Sequence, residues 1–354
     1  MALTLDSYTT LGRSGLRVSP VALGTMTFGE TWGWGAGEAE SRAMLDSYME
    51  RGGNFIDTAN FYTGGTSETL LGKFLEGRRD RAVIATKYSL NVEPGNVNAG
   101  GNHRRNMVRA VEASLKRLGT DYIDLYYLHV WDDTTPVEEI MRGFDDLVRA
   151  GKIVYAGISD APAWQVSRMQ MLAELRGWAP FIGLQIEYSL IERTVEHDLL
   201  PMADALGLGV LAWSPLGSGV LTGKYSRADI EANKDKDMFN GGRAAVAAGI
   251  GSLSEHNLDI VDALKDIATD VGHSPAQTAI AWLLAKQAPR IIPILGARTA
   301  KQFEENLGAL EITLSADHMQ RLDEASAIAP IFPHRFLPRV QASVTGGAQI
   351  GRDW

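Results

Sequence analysis

The chain has 354 residues, 45% of them hydrophobic and 22% charged, with a net charge of −9 and no cysteine. This is the profile of an ordinary globular protein with one large core. It excludes thiol nucleophiles, cysteine-held metals and iron–sulfur clusters. It also argues against a nucleic-acid partner, whose phosphates demand a basic surface. A cysteine-free chain suits the reducing cytoplasm. The N-terminal residues 1–15 lack a basic stretch followed by an apolar core, so no signal peptide is read there. The most apolar helix candidate, residues 276–285, is too short to span a bilayer and runs into Lys286, so no membrane partner is expected.

In chain order, residues 11–20 with the turn Arg13-Ser14-Gly15 predict an N-terminal hairpin. Short apolar runs rich in β-branched and aromatic residues follow at 21–26, 55–59, 82–87, 123–129, 154–159, 183–187, 210–214 and 291–295. Helical patterns lie between them, among them 40–51, 104–118, 137–150 and 195–206. Glycines 119, 151 and 207 stand where helices should end, and Pro136 and Pro275 where helices should begin. Eight strand–helix alternations without a composition break predict an α/β fold, a closed (β/α)₈ TIM barrel, with the hairpin closing its bottom. A single domain, 1–354, is expected. Residues 218–253 read as a long Gly-rich loop over the catalytic face, and 330–354 as an irregular tail.

Three motifs fail on their context. Gly207-Leu208-Gly209 through Ala212 has the spelling of a dinucleotide fingerprint, but it leads from helix to strand rather than strand to helix. Gly223-Lys224 resembles a P-loop end, yet Tyr225 stands where Ser or Thr is needed. The seven histidines show no metal-ligand spacing, so no metal is expected.

In such barrels chemistry gathers where strands end. Asp57, Lys87 and His129 stand at or beside the ends of the second, third and fourth strands, and Tyr62 lies in the loop after Asp57. A free tyrosine has a pKa of about 10, too high for an efficient proton donor. An ammonium such as Lys87, held by Asp57, would lower it. His129 would hold a carbonyl oxygen, and Tyr62 would protonate it as hydride arrives at carbon. A Schiff-base role for Lys87 would need it neutral, and Asp57 should keep it charged.

Several stretches carry a family resemblance: G-N-F-I-D-T-A-N-F-Y (53–62), R-L-G-T-D-Y-I-D-L-Y-Y-L-H (117–129), G-K-I-V-Y-A-G-I-S-D (151–160), Q-I-E-Y-S-L (185–190), W-S-P-L-G-S-G-V-L-T-G-K (213–224) and G-A-R-T-A-K-Q-F-E-E-N (296–306). In these the chain resembles the aldo-keto reductases, a bacterial-type member related to the aryl-alcohol dehydrogenase and potassium-channel β-subunit-like branches. The resemblance implies reversible NADPH-dependent reduction of a small aldehyde or ketone, with the catalytic tetrad at Asp57, Tyr62, Lys87 and His129. It implies NADPH, preferred over NADH, across the barrel mouth. Ser159, Asp160 and Gln185 would hold the nicotinamide amide, and Trp213 would stack on the ring. Ser214, Pro215, Leu216, Ser218 and Gly219 would line the pyrophosphate through free backbone N–H groups, with Lys224 nearby. Gly296, Arg298, Gln302, Glu305 and Asn306 would hold the adenosine end, with Arg298 on the 2′-phosphate. Gly24, Thr25 and Met26 complete the expected cofactor contacts, together with Asp57. Asp160 is a departure, because the family usually has Asn there. The substrate pocket is expected from Met26, Phe28, Trp32, Trp34, Tyr88 and Trp131. The alternative is an NADPH-binding auxiliary subunit with weak turnover. Oligomeric state is not legible in the sequence.

Overall fold

The computed structural model describes residues 2–237 and 242–351. A two-stranded antiparallel hairpin, β1 (Thr9–Thr10) and β2 (Arg17–Val18), precedes eight parallel strands. These are β3 (Ala22–Gly24), β4 (Phe55–Asp57), β5 (Val83–Tyr88), β6 (Ile123–Leu128), β7 (Ile153–Ser159), β8 (Phe181–Glu187), β9 (Gly209–Trp213) and β10 (Ile291–Leu295). Each pairs with the next, and β10 closes on β3 with Ile294 opposite Ala22. The expected (β/α)₈ barrel and hairpin are both present. No helix among the described residues is long and apolar enough to cross a membrane.

Strand side chains alternate between the lumen and the helices. Phe55, Val83, Ala85, Leu125, Tyr127, Leu211 and Ile292 fill the lumen, and Leu11 and Val18 of the hairpin plug its lower end. A larger cluster packs the outer face of the sheet against the helices. The Tyr127 ring fits in the lumen because β7 and β8 carry glycine beside it. A Cβ on Gly157 would lie 2.4 Å from its Cε1, and one on Gly183 would lie 2.6 Å from its hydroxyl. The next lumen-facing positions upward are polar: Asp57 two residues beyond Phe55, Lys87 two beyond Ala85, His129 two beyond Tyr127.

Three sequence expectations change. The pattern at 195–206 is broken into a 3₁₀ turn (Thr194–Glu196) and a helix (Leu199–Leu206). Pro201 lacks an N–H and is tolerated only in a first turn, so the helix must begin just before it. The stretch 218–253 is not a plain loop. It holds a 3₁₀ run (Gly217–Thr222) and helices Arg227–Asn233 and Arg243–Gly249; residues 238–241 lie outside the described residues. A Ser226–Asp229 capping box starts the first of these helices, and alanine fills the second. The tail is not irregular throughout: Leu337–Thr345 is helical, with Pro338 in its first turn and left-handed Gly346 at its end, while 352–354 lie outside the described residues. No residue of that helix is buried.

Candidate active site

The four strand-mouth residues meet in one cluster. Asp57 ends β4, Lys87 is the penultimate residue of β5, His129 follows β6, and Tyr62 opens the 3₁₀ turn Tyr62–Gly65. Lys87 Nζ donates to Asp57 Oδ2 at 2.7 Å, to the Thr58 carbonyl at 2.8 Å and to the Tyr62 hydroxyl at 3.0 Å. An ammonium has three protons, and all three are used. The Tyr62 oxygen therefore accepts from Lys87, which leaves its own proton free to point elsewhere. The Tyr62 and His129 rings stand edge to face, with centroids 5.8 Å apart.

Below the cluster, a hydroxyl network fixes the Asp57 backbone. Thr25 Oγ1 donates to the Asp57 carbonyl at 2.9 Å and pairs with the Ser67 hydroxyl at 2.8 Å. Thr25 is thus fully buried and committed, which removes its side chain from the expected cofactor contacts. The second Asp57 oxygen receives Gln185 Nε2 at 2.8 Å. That link was not legible in the sequence, since the two residues are 128 apart in the chain.

The electrostatics follow from this wiring. Burial pulls the Lys87 pKa down, but the Asp57 carboxylate and the Tyr62 oxygen outweigh it, and the net shift is up, so Lys87 stays charged. That is the wrong state for a Schiff-base nucleophile. Tyr62 departs from expectation: burial raises its pKa, Lys87 lowers it, and burial wins. The phenol is therefore firmly protonated at neutral pH, as a proton donor must be. Burial, then the Lys87 charge, push His129 well below its ordinary value and keep it neutral. Its Nδ1 is buried without a partner. A buried lone N–H is rarer than an unpaired acceptor, so we assign the proton to Nε2.

Of the expected pocket residues, two fall away. Tyr88 follows Lys87 on the same strand, and the two-residue period turns it to the opposite face. It is buried among the helices, stacks on Tyr126 with centroids 5.3 Å apart and donates to the Asn102 carbonyl at 3.2 Å. Phe28 is fully buried in the outer core. Trp32 and Trp34 are half-buried, with ring centroids 5.6 Å apart. Trp32 also meets Phe61, 5.7 Å away. Phe61, next to Tyr62 and partly exposed, was missed: an aromatic before a catalytic candidate reads as core in sequence. Met26 is exposed, and Trp131 is half-buried with its indole donating to Asp133.

The residues expected to hold a dinucleotide lie along one side of the mouth. The Ser159 hydroxyl is fully buried, with the Asp160 carboxylate as its neighbour. Ser159 pairs in register with Gln185 on β8, and Glu187 with Trp213 on β9. Ser214, Gly217, Ser218 and Gly219 all have positive φ and form a tight turn beneath half-exposed Leu216, with Pro215 buried. The N–H groups of Gly217, Ser218 and Gly219 are not free, however; they bond to Ser214 O, Ser214 Oγ and Leu216 O. The charge comes instead from side chains. A Cβ on Gly219 would lie 3.3 Å from Lys224 Nζ, so this ammonium rests on the turn. Arg243 donates to the Ser218 carbonyl at 3.3 Å. Desolvation, then the Arg298 charge, lower the Arg243 pKa, and Arg243 and Arg298 add to desolvation in lowering Lys224. None of the three makes a salt bridge among the described residues. Three mutually repelling cations without an acid fit a phosphate-bearing ligand. Arg243 was missed because it sits in what the sequence read as loop. Beyond, exposed Gly296 and Arg298 follow β10, Gln302 Oε1 caps the Arg298 N–H at 3.2 Å, Asn306 is half-buried, and Glu305 is exposed near Lys301. Gly24 is needed where β3 meets β10, since a Cβ there would lie 2.7 Å from Ile294 Cγ2.

An eight-stranded barrel with a Tyr–Lys–Asp–His cluster at its mouth and a cationic turn beside it defines a class of carbonyl oxidoreductase. The family model described as "Aldo/keto reductase family" matches residues 20–327, and the chain belongs to that family. Among curated proteins it is similar to the norsolorinic acid reductase of Aspergillus flavus, 38% identical over 92% of this chain and 82% of that one. It is 36% identical to the aryl-alcohol dehydrogenase (NADP+) of Phanerodontia chrysosporium, over 90% and 86%. It is 37% identical to the aldo-keto reductase ausK of Emericella nidulans, over 91% and 81%. The chain is an oxidoreductase acting on carbonyl and alcohol groups.

Proposed function

We propose that this chain reversibly reduces an aromatic aldehyde or ketone with NADPH, using Tyr62 as the proton donor. The observation that carries the reading is the saturation of Lys87. Its three bonds fix the phenol oxygen and leave the phenol proton directed away from the ammonium. Bound NADPH supplies the hydride. Tyr62 gives its proton to the developing alkoxide, and neutral His129 donates Nε2–H to the same oxygen and so stabilises its charge. Asp57 holds Lys87, and Gln185 holds Asp57. In alcohol oxidation Tyr62 takes the proton back.

Ser159, Asp160, Gln185 and Trp213 would hold the nicotinamide end. Lys224 and Arg243 beside the Ser218–Gly219 turn, with Arg298 after β10, would hold the phosphates, and this cation excess supports NADPH over NADH. Trp32, Trp34 and Phe61 offer an aromatic wall beside Tyr62, in keeping with the aryl-alcohol dehydrogenase among the relatives. A cysteine-free chain of this kind belongs in the cytoplasm. The test is an aryl-carbonyl panel followed by NADPH absorbance. Tyr62→Phe should bind NADPH as wild type does, keep its Tm, and lose turnover by about a thousandfold, the range expected for a lost general acid. Wild-type kcat/KM should be higher with NADPH than with NADH. Near-normal turnover in Tyr62→Phe would remove the proton donor from the reading.

A further inference from the structure

We propose that the Asp160 carboxylate, held in place by the Trp213 indole, makes this site bind oxidised nicotinamide in preference to reduced. The proposal rests on the cofactor reading above. Its starting point is the acid Asp160, standing where the family resemblance leads one to expect asparagine.

Asp160 directly follows β7 and adopts a left-handed backbone, φ 44°, a conformation that Asp and Asn tolerate better than most residues. It is pinned from three sides. Its N–H donates to the Gln185 carbonyl at 3.2 Å, and its carbonyl accepts from the Trp131 N–H at 3.2 Å. Its Oδ1 accepts from Trp213 Nε1 at 3.0 Å. The carboxylate therefore sits among the side chains proposed to hold the nicotinamide, Ser159, Gln185 and Trp213. Desolvation raises the Asp160 pKa above its ordinary value, and the Trp213 and Ser159 side chains and the Lys87 charge oppose that shift only in part.

The charge has no counter-ion. Among the described residues no cation lies within ion-pair distance of Asp160, and Lys87 is committed to Asp57. The acid next to it is another carboxyl, Glu187, whose register partner is Trp213. Oxidised nicotinamide is a cation and the reduced ring is neutral. A carboxylate at the barrel mouth with no cation partner attracts the first and is indifferent to the second. An amide at the same position would hold the Trp213 indole equally well through its oxygen but would carry no charge. Of the two forms, the site is thus electrostatically matched to the one that accepts hydride from an alcohol.

Binding of NADP+ and NADPH to wild type, Asp160→Asn and Trp213→Phe, followed by quenching of protein fluorescence without substrate, separates the possibilities. Asp160→Asn should weaken NADP+ about three- to tenfold and leave NADPH within about twofold, since only the charge changes. Trp213→Phe should weaken both forms. Equal weakening of both forms by Asp160→Asn, or no change in either, would overturn the charge argument while leaving the cofactor reading intact. Failure of wild type to bind either form would overturn the cofactor reading itself, and this inference with it.

Discussion

Glu187 holds a carboxyl at the mouth of the barrel with carboxyls for neighbours. Burial, then Glu192 in the turn beyond β8 and Asp160 beyond β7, push its pKa up from 4.5 to about 7. The folded state therefore keeps a proton that an unfolded glutamate releases, and it does so across the interval from about 4.5 to 7. The contribution to stability is fully present below 4.5 and is lost as pH rises through 7. Glu187→Gln removes the loss: the ligand-free variant should match wild type in Tm near pH 4.5 and exceed it at pH 8. Parallel Tm–pH curves would show that Glu187 is not strained by its neighbours. Asp57 and Lys87 are the opposite case, two buried charges that satisfy each other. Asp57 and Lys87 could be picked from sequence as polar groups closing apolar strands; Glu187 was not. What could not be picked was their wiring: that Gln185 secures Asp57, that Lys87 spends its third proton on Tyr62, and that burial outweighs the ammonium at the phenol. Those depend on distances between segments 25 to 128 residues apart.

At the scale of the element, alternation decides what each strand offers. Lys87 and Tyr88 are adjacent, yet one faces Asp57 and Tyr62 and the other the helices. The expectation that both lined the site failed because a strand cannot turn consecutive side chains to one face. The lumen beneath is filled by Tyr127, and its fit is specific. Gly183→Ala would place a methyl against the Tyr127 hydroxyl, whereas Gly157→Ala would place one against the ring carbon. Each alone should cost about 1–3 kcal/mol by overpacking. Adding Tyr127→Phe should rescue Gly183→Ala, because the clashing oxygen is gone, and should leave Gly157→Ala unrelieved. Urea denaturation of the four variants tests this; equal rescue of both would place the ring differently. The elements themselves were largely legible, because their apolar runs, capping glycines and prolines are local signals. The departures have local causes as well, Pro201 in one helix and the Ser226 cap in the insert.

At the scale of the whole molecule, the barrel and its plug account for the buried core, and the tail stands apart from it. Residues 331–351 contribute no buried side chain, while Phe332, Val344 and Ile350 are at least 70% exposed. The tail touches the body where His334 Nε2 meets Asp198 Oδ1 at 3.1 Å and stacks on His197. Ending the chain at Pro330 should therefore shift Tm by no more than about 2 °C and leave NADPH binding unchanged. A fall of ten degrees would assign the tail a structural role. By itself the sequence determined the barrel, the hairpin, the family and the four residues at the strand mouths. Each is written in local periodicity, in turn residues or in a contiguous motif. Only the tertiary structure decided which of those residues share a face and how each ammonium proton is spent. It also decided that Arg243 joins Lys224 and Arg298, and that Asp160 carries an unpaired charge beside Trp213. Closing eight strands into a ring brings together side chains from distant segments, and the charge each one feels is set by that closure.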